Sequence, residues 1–328
     1  MKEFDFGIGW PIVGDKADIF VQTLESECKL HNLKFIFIDE EKVDSLTEDI
    51  KADKLKIKFY LDMASEIHDS KDIFTRFAYC LKDSGTRIVD DPDDVKAAAD
   101  KSITHFDLIR SKINVPYTVV IRNWEPARKF TEEEKKGLGF PFIIKPALGY
   151  GQKGVKIINQ KSSLEEIAQA RKFTKGDNFL LQEIIKPAEF ADTPAWFRVY
   201  HLFGEIIPCW WNPVTHEYRQ VTLKEMDMYK LLPLVRITSD IARITRIDWF
   251  SCEIAFNKEN KEFTVIDYMN DQCALEPQSE EKDGVPDELI VQLATRIVEK
   301  AWQYIMGRFT LTYRAVWFPK IKVKDEDM

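Results

Sequence analysis

No CxxC pair and no cluster of cysteine with histidine occurs in the chain; Cys28, Cys80, Cys209, Cys252 and Cys273 are odd in number and widely spread. That pattern supports neither a disulfide framework nor a zinc centre, and it assigns the thiols to buried positions in a reducing compartment. No apolar stretch approaches the length that spans a bilayer, and residues 1–5 carry charges where a signal peptide needs an apolar run. The expectation is a cytoplasmic protein with no membrane partner. Positive charge is not in excess: 47 Lys and Arg stand against 55 Asp and Glu, a formal net charge of −8. A general nucleic-acid binder needs the opposite balance, although a few cations gathered in one cleft can still hold a phosphate. No Gly-Lys-Ser/Thr step opens a helix, so a Walker phosphate loop is absent, and no Ser/His/Asp constellation for nucleophilic catalysis occurs.

What is present is apolar material for large cores. Hydrophobic residues make up 45% of the 328, with 22 Phe and 8 Trp, enough for two or three packed domains. Up to about residue 91, strands expected at 4–11, 34–38, 57–61 and 87–89 alternate with helix-like segments at 15–30, 43–52 and 72–82. That alternation predicts a parallel sheet covered on both faces. Gly7 and Gly9 read as a tight strand-to-helix connection. The acid-rich turn at 90–94 marks a boundary and opens a helix over 93–111, with Val95, Ala99, Ile103, Phe106 and Ile109 near one face. After a strand at 117–121, residues 122–139 read as a mobile connector. Beyond it the texture becomes α+β. Hairpins are expected at 142–145 with 155–158, 196–203 with 205–211, and 252–256 with 263–268. Helices are expected at 162–173, 231–243 and 286–306, and a further strand at 179–185.

Three segments could carry chemistry. In the first, Lys145 ends an apolar strand and is followed by Gly149, Gly151, Lys153 and Gly154. Glycines let backbone N–H groups approach phosphate oxygens, and the lysines can neutralise them; alone, the segment reads as a hairpin with a solvated lysine. In the second, the apolar strand 179–185 ends in polar residues and Pro187, so its free backbone groups suit adenine and Glu189 suits ribose. A strand simply leaving a sheet is an equal reading. In the third, Glu253 and Asp267 interrupt apolar strands, where an unpaired carboxylate is costly. If those strands pair, the two acids and Asn270 can hold Mg²⁺, which prefers a few oxygens plus water and phosphate.

In order and spacing, residues 90–271 resemble the ATP-grasp superfamily, of the D-alanine–D-alanine ligase and ribosomal-protein glutamate ligase type. The resemblance implies an α/β and α+β ATP-grasp fold with an α/β pre-grasp domain at 1–91. The ATP-grasp domain would span 92–328, its lid about 117–185 and its metal-binding part about 186–328. It implies that Lys101 and Lys145 meet the phosphates, that the loop from Gly149 through Gly151 and Lys153 to Gly154 covers them, and that Arg198 contacts phosphate or acyl phosphate. Gln182, Glu183 and Ile185 fall in the adenine segment, with Glu189 at a ribose position. Glu253, Asp267 and Asn270 fall at metal positions. The implied cofactors are ATP and Mg²⁺, with Mn²⁺ as a substitute. The implied partner is a small-molecule or peptide carboxylate, joined to an amine or thiol, with a homodimer left open. A small-molecule kinase using Arg219, Arg236, Arg243 and Arg246, or a nucleotide-binding regulatory module without turnover, are the alternatives. Two departures stand out. The last motif has one residue more than usual between Asp267 and Asn270, which on a regular strand turns their side chains apart and makes Asp271 a rival. Trp196 stands where many members carry an acid.

Overall fold

Lys2–Gly9 lies inside a four-stranded parallel sheet, between Phe35–Ile38 and Leu55–Asp62, with Arg87–Val89 beyond the latter. Parallel neighbours need crossovers, here the helices Ile19–Leu30, Glu40–Lys51 and Ile73–Asp83. The first begins four residues later than expected because Asp18 stays outside as its cap, accepting from the N–H of Phe20 at 2.7 Å and of Val21 at 3.2 Å. Asp72 caps the third in the same way through Thr75 N–H. The computed structural model describes residues 1–12, 18–122, 130–148, 154–159, 178–212, 215, 218–273, 275–308 and 316–317. The helix expected at 162–173 lies outside the described residues.

The chain groups into two compact units that do not follow its order. One comprises Met1–Lys96, Phe197–Ser251 and Asp271–Met328, the other Ala97–Trp196 and Cys252–Asn270. In the first, helix Asp287–Ile305 packs Leu289, Leu293 and Ile297 into the same core as Phe6, Ile8, Phe59 and Leu61 of the parallel sheet. A second core joins Ile38, Ile57, Tyr60 and Ile88 to Val43, Phe77 and Leu81 of two crossover helices. Strands Trp196–Leu202 and Glu205–Trp211 form the expected antiparallel hairpin across Phe203 and Gly204. Both turn residues have positive φ, 47° and 85°, as a two-residue hairpin requires. His201 serves this turn, accepting from Gly204 N–H at Nε2 and facing the Asp248 carbonyl with Nδ1. Burial pushes its pKa down to about 4.

In the second unit, an antiparallel sheet runs in the order Thr118–Ile121, Phe179–Glu183, Phe142–Pro146, Lys156–Ile158. Its core holds Val119, Ile121, Phe142, Ile144, Ile158, Phe179 and Leu181, closed by Leu138 of helix Glu132–Leu138. That helix replaces part of the expected connector, and a capping box between Thr131 and Glu134 starts it. The hairpin over Trp249–Phe256 and Phe263–Asn270 forms as expected, its residues from Cys252 onward belonging to this unit. The helix expected over 93–111 is instead two, Pro92–Ala99 and Lys101–Arg110, because Asp100 caps the second through Ser102 N–H at 2.8 Å. Among the described residues no helix is long and apolar enough to cross a membrane.

Gly7 and Gly9 are strand residues, which corrects the reading of a tight connection. A Cβ on Gly9 would come within 2.0 Å of the Tyr60 hydroxyl and 2.9 Å of its ring. That hydroxyl is buried with no hydrogen-bond partner among the described residues. Gly9→Ala is therefore expected to destabilise the protein by about 1–3 kcal/mol through overpacking. Tyr60→Phe, which removes an unsatisfied polar group, should be neutral or stabilising. Denaturant unfolding of both variants checks the pair; an unchanged midpoint in Gly9→Ala would remove the packing argument.

Candidate functional site

Strand Phe142–Pro146 alternates, with Phe142, Ile144 and Pro146 inward and Lys145 half-buried on the other side. The Lys145 ammonium donates to the Ile266 carbonyl at 3.1 Å and lies 5.2 Å from the centre of the Tyr268 ring. Burial pushes its pKa down to about 8; the Lys101 cation adds to the fall, while the Asp267 and Glu253 carboxylates oppose it. The Lys101 Nζ is 4.0 Å from an Asp267 carboxylate oxygen. Four of the residues expected to serve phosphate and metal therefore share one electrostatic neighbourhood. Glu253 also accepts from the indole N–H of Trp196 at 3.1 Å, so the residue that departs from the expected acid supports an acid on a neighbouring strand.

A closed set of hydrogen bonds places these side chains. Lys101 N–H donates to Ala147 O at 3.1 Å, Ala147 N–H donates to Asn178 O at 2.8 Å, and the Asn178 amide donates to Ser102 Oγ at 2.9 Å. The start of helix Lys101–Arg110 is thereby pinned to the end of one strand and the beginning of another. Gly154 follows with φ +79°, and a Cβ there would press on Pro146 at 3.3 Å. Gly149, Gly151 and Lys153 lie outside the described residues.

The helix itself turns over what its sequence suggests. Ile103, Phe106 and Ile109 are exposed, while Ser102, Thr104, His105 and Leu108 are buried. The buried polar groups are satisfied: Thr104 Oγ1 donates to Ala98 O at 2.8 Å, and His105 Nδ1 lies 2.7 Å from the Tyr268 hydroxyl. Burial, with the Lys145 cation nearby, lowers the His105 pKa to about 4, so the ring is neutral near pH 7.

Gln182 is engaged within the fold. Its buried amide nitrogen donates to Thr118 Oγ1 and to the Tyr268 hydroxyl, both at 3.1 Å, and its strand is paired on both sides. The side chain joins Thr118 to Tyr268. Glu183 holds the strand end, its N–H donating to Tyr117 O and its carboxylate accepting from Tyr117 N–H at 2.7 Å. Ile185 is buried, and Glu189 is exposed on the short strand Glu189–Phe190. Asp267 and Asn270 are both half-buried with Tyr268 and Met269 buried between them, so strict alternation fails there. Asp271 belongs to the other unit, where it lines a small cavity with Asp62, Ser65 and Asp90. Arg198 belongs to that unit too, its guanidinium 4.8 Å from the Trp211 ring. Among the described residues no three His, Cys, Asp or Glu side chains gather as a metal group. Tyr268, His105, Thr118 and Asn178 escaped the sequence reading; the one available signal was a tyrosine and a histidine each next to, or one turn from, a candidate residue.

The Lys145 ammonium is expected to titrate near pH 8, below its ordinary value of 10.5. The unfolded chain then holds this proton where the folded one has lost it, so stability from this group rises with pH from about 8 to about 10 and is flat below. Asp267→Asn removes a carboxylate that raises the value and should move the midpoint lower. Titration of lysine side-chain resonances reads both; a wild-type midpoint above 10 contradicts the burial argument.

Residues 98–200 match the family model of the RimK-like ATP-grasp domain. No curated protein sequence matches the chain. Among solved structures, the chain is similar to D-alanine–D-alanine ligase from Bacillus anthracis, complexed with ATP, at a TM-score of 0.60 and 14% identity. That likeness covers 94% of this chain and 100% of the ligase. A RimK-domain ATP-grasp protein from Sphaerobacter thermophilus gives 0.60 and 14%, over 89% and 98% of the two chains. D-Cycloserine synthetase gives 0.61 and 13%, over 90% and 99%. At such identities the structures attest the fold alone, and the domain match concerns residues 98–200. With the mixed α/β and α+β architecture described above, they show an ATP-grasp fold, within which residues 98–200 are similar to the RimK-like ATP-grasp domain.

Proposed function

We propose that the chain is a Mg·ATP-dependent ligase that activates a substrate carboxylate as an acyl phosphate for attack by an amine or thiol. The observation that carries the reading is the grouping of two lysines, Lys101 and Lys145, with two carboxylates, Glu253 and Asp267, in one half-buried place. A buried cation pair held beside acids suits a ligand that brings both phosphate and metal. Two carboxylates and the Asn270 amide are hard oxygen donors of the kind Mg²⁺ takes. Bound there, the ion would neutralise phosphate charge.

The chain's own residues would do the rest. A substrate carboxylate oxygen attacks the γ-phosphorus and ADP leaves with the bond's electron pair. The amine or thiol then adds to the acyl carbon, the acyl C–O bond breaks with its electron pair leaving on inorganic phosphate, and the nucleophile's proton is transferred, in the net reaction, to that phosphate. Lys101 and Lys145 hold the transferring phosphoryl oxygens. This is catalysis by positioning and charge neutralisation, and no side-chain nucleophile is needed. The domain match spans Lys101, Lys145 and Arg198, and two of the structural relatives are named as a ligase and a synthetase. The kinase alternative loses support because Arg219, Arg243 and Arg246 are engaged by Glu225, Asp240 and Asp94.

Mg·ATP at a hundred times its dissociation constant should stabilise the wild type by about 2.7 kcal/mol, and Lys145→Ala should lose that shift. ADP release across a panel of carboxylates with amines or thiols then identifies the substrates. Absence of any shift would overturn the reading, and a shift with no turnover across the panel would favour a regulatory module. Because Lys145 must be charged to meet phosphate, binding at pH 8–9 should take up protons. Calorimetry in two buffers of different ionisation enthalpy measures that uptake, and proton release would contradict the contact.

A further inference from the structure

We infer that Tyr268 is the positioning residue for Lys145: its ring carries the ammonium, and its hydroxyl, bonded to His105 and Gln182, fixes the ring. The inference rests on the assignment of Lys145 to the nucleotide phosphates. A lysine side chain has four rotatable bonds, and a solvated one samples many positions. Lys145 has its end fixed by two contacts from one strand, the Ile266 carbonyl at 3.1 Å and the Tyr268 ring face at 5.2 Å. The carbonyl offers one acceptor to an ammonium with three donors, and the ring offers its negative face. Together they leave donors of the ammonium unused by these contacts.

The ring itself cannot tilt freely. Its hydroxyl lies 2.7 Å from His105 Nδ1 and accepts from the Gln182 amide at 3.1 Å; the same amide donates to Thr118 Oγ1. The His105 ring also stacks against it, with centroids 5.8 Å apart at 26°. Each partner comes from a different element: helix Lys101–Arg110 and strands Phe179–Glu183 and Thr118–Ile121. One hydroxyl thus ties together the elements bearing Lys101, Glu183 and Asp267, while the ring it anchors sets the height of Lys145. Buried polar groups of this kind act as a unit, because a missing partner leaves others unsatisfied.

The test separates positioning from mere folding. In the unliganded protein, the Lys145 ε-methylene protons should show an upfield ring-current shift, kept in Tyr268→Phe and lost in Tyr268→Leu. For Mg·ATP, Tyr268→Leu should weaken binding about tenfold in the wild type, the order expected for a desolvated cation–ring contact. In a Lys145→Ala background, whose weakened binding is read at correspondingly higher Mg·ATP, the same change should cost less than twofold. Tyr268→Phe, which keeps the ring and frees it, should fall between. Equal losses in both backgrounds, or no ring-current shift in the wild type, would overturn the inference. If Tyr268→Leu does not fold, the wild-type and Tyr268→Phe spectra still decide it. A shift present in a protein that binds no nucleotide would sink the ligase reading while leaving the positioning role intact.

Discussion

Holding a lysine half out of water is the constraint on which the second unit is built. An ammonium taken from solvent must find acceptors and countercharge or give up its proton. Lys145 has a carbonyl, an aromatic face and two carboxylates, set against the opposing effect of Lys101. These come from strands on either side of long stretches of chain, so the site exists only once the hairpin ending at Asn270 and the sheet containing Phe142–Pro146 are both formed. The balance leaves a cation of weakened proton affinity beside acids.

The supporting shell is polar and satisfied. Ser102, His105, Thr118, Asn178 and Gln182 use their hydrogen-bonding groups on one another, on Asp100, on the backbone, or on Tyr268. A buried face of this type costs little when complete and much when one member is removed. It also explains why helix Lys101–Arg110 shows Ile103, Phe106 and Ile109 to the exterior. Its inner face is chosen by hydrogen bonds, and its apolar stripe is the side left over.

The first unit follows ordinary rules by contrast. Parallel strands demand crossover helices, apolar residues fill both sheet faces, and long-range capping joins distant segments. Asp90 illustrates the last: its carboxylate accepts from the N–H of Asp248 at 2.7 Å and of Trp249 at 2.9 Å, closing the start of strand Trp249–Phe256 against a residue some 160 positions earlier in sequence. Burial and the Asp248 charge hold the Asp90 carboxyl well above the usual range, which those two N–H groups oppose.

Local periodicity and turn chemistry determined much of this protein from sequence alone. The alternation of strands and helices up to residue 91, the hairpin at Phe203-Gly204, and Lys145 at the end of an apolar strand were all legible, because each depends on neighbours in the chain. The order of the phosphate, adenine and metal segments was legible as a resemblance for the same reason. What only tertiary structure decided is which face of a helix turns inward and which polar side chains are bonded to distant partners. Ile103 and Phe106 share an apolar face that turns outward; Gln182, placed by resemblance in the adenine segment, bonds its side chain to Tyr268; Gly9, whose pattern suggests a strand-to-helix connection, is a strand residue that yields space to Tyr60. Each of those outcomes depends on a partner tens of residues away or more, and hydrogen bonding or close packing with a distant partner leaves no periodic mark in the sequence.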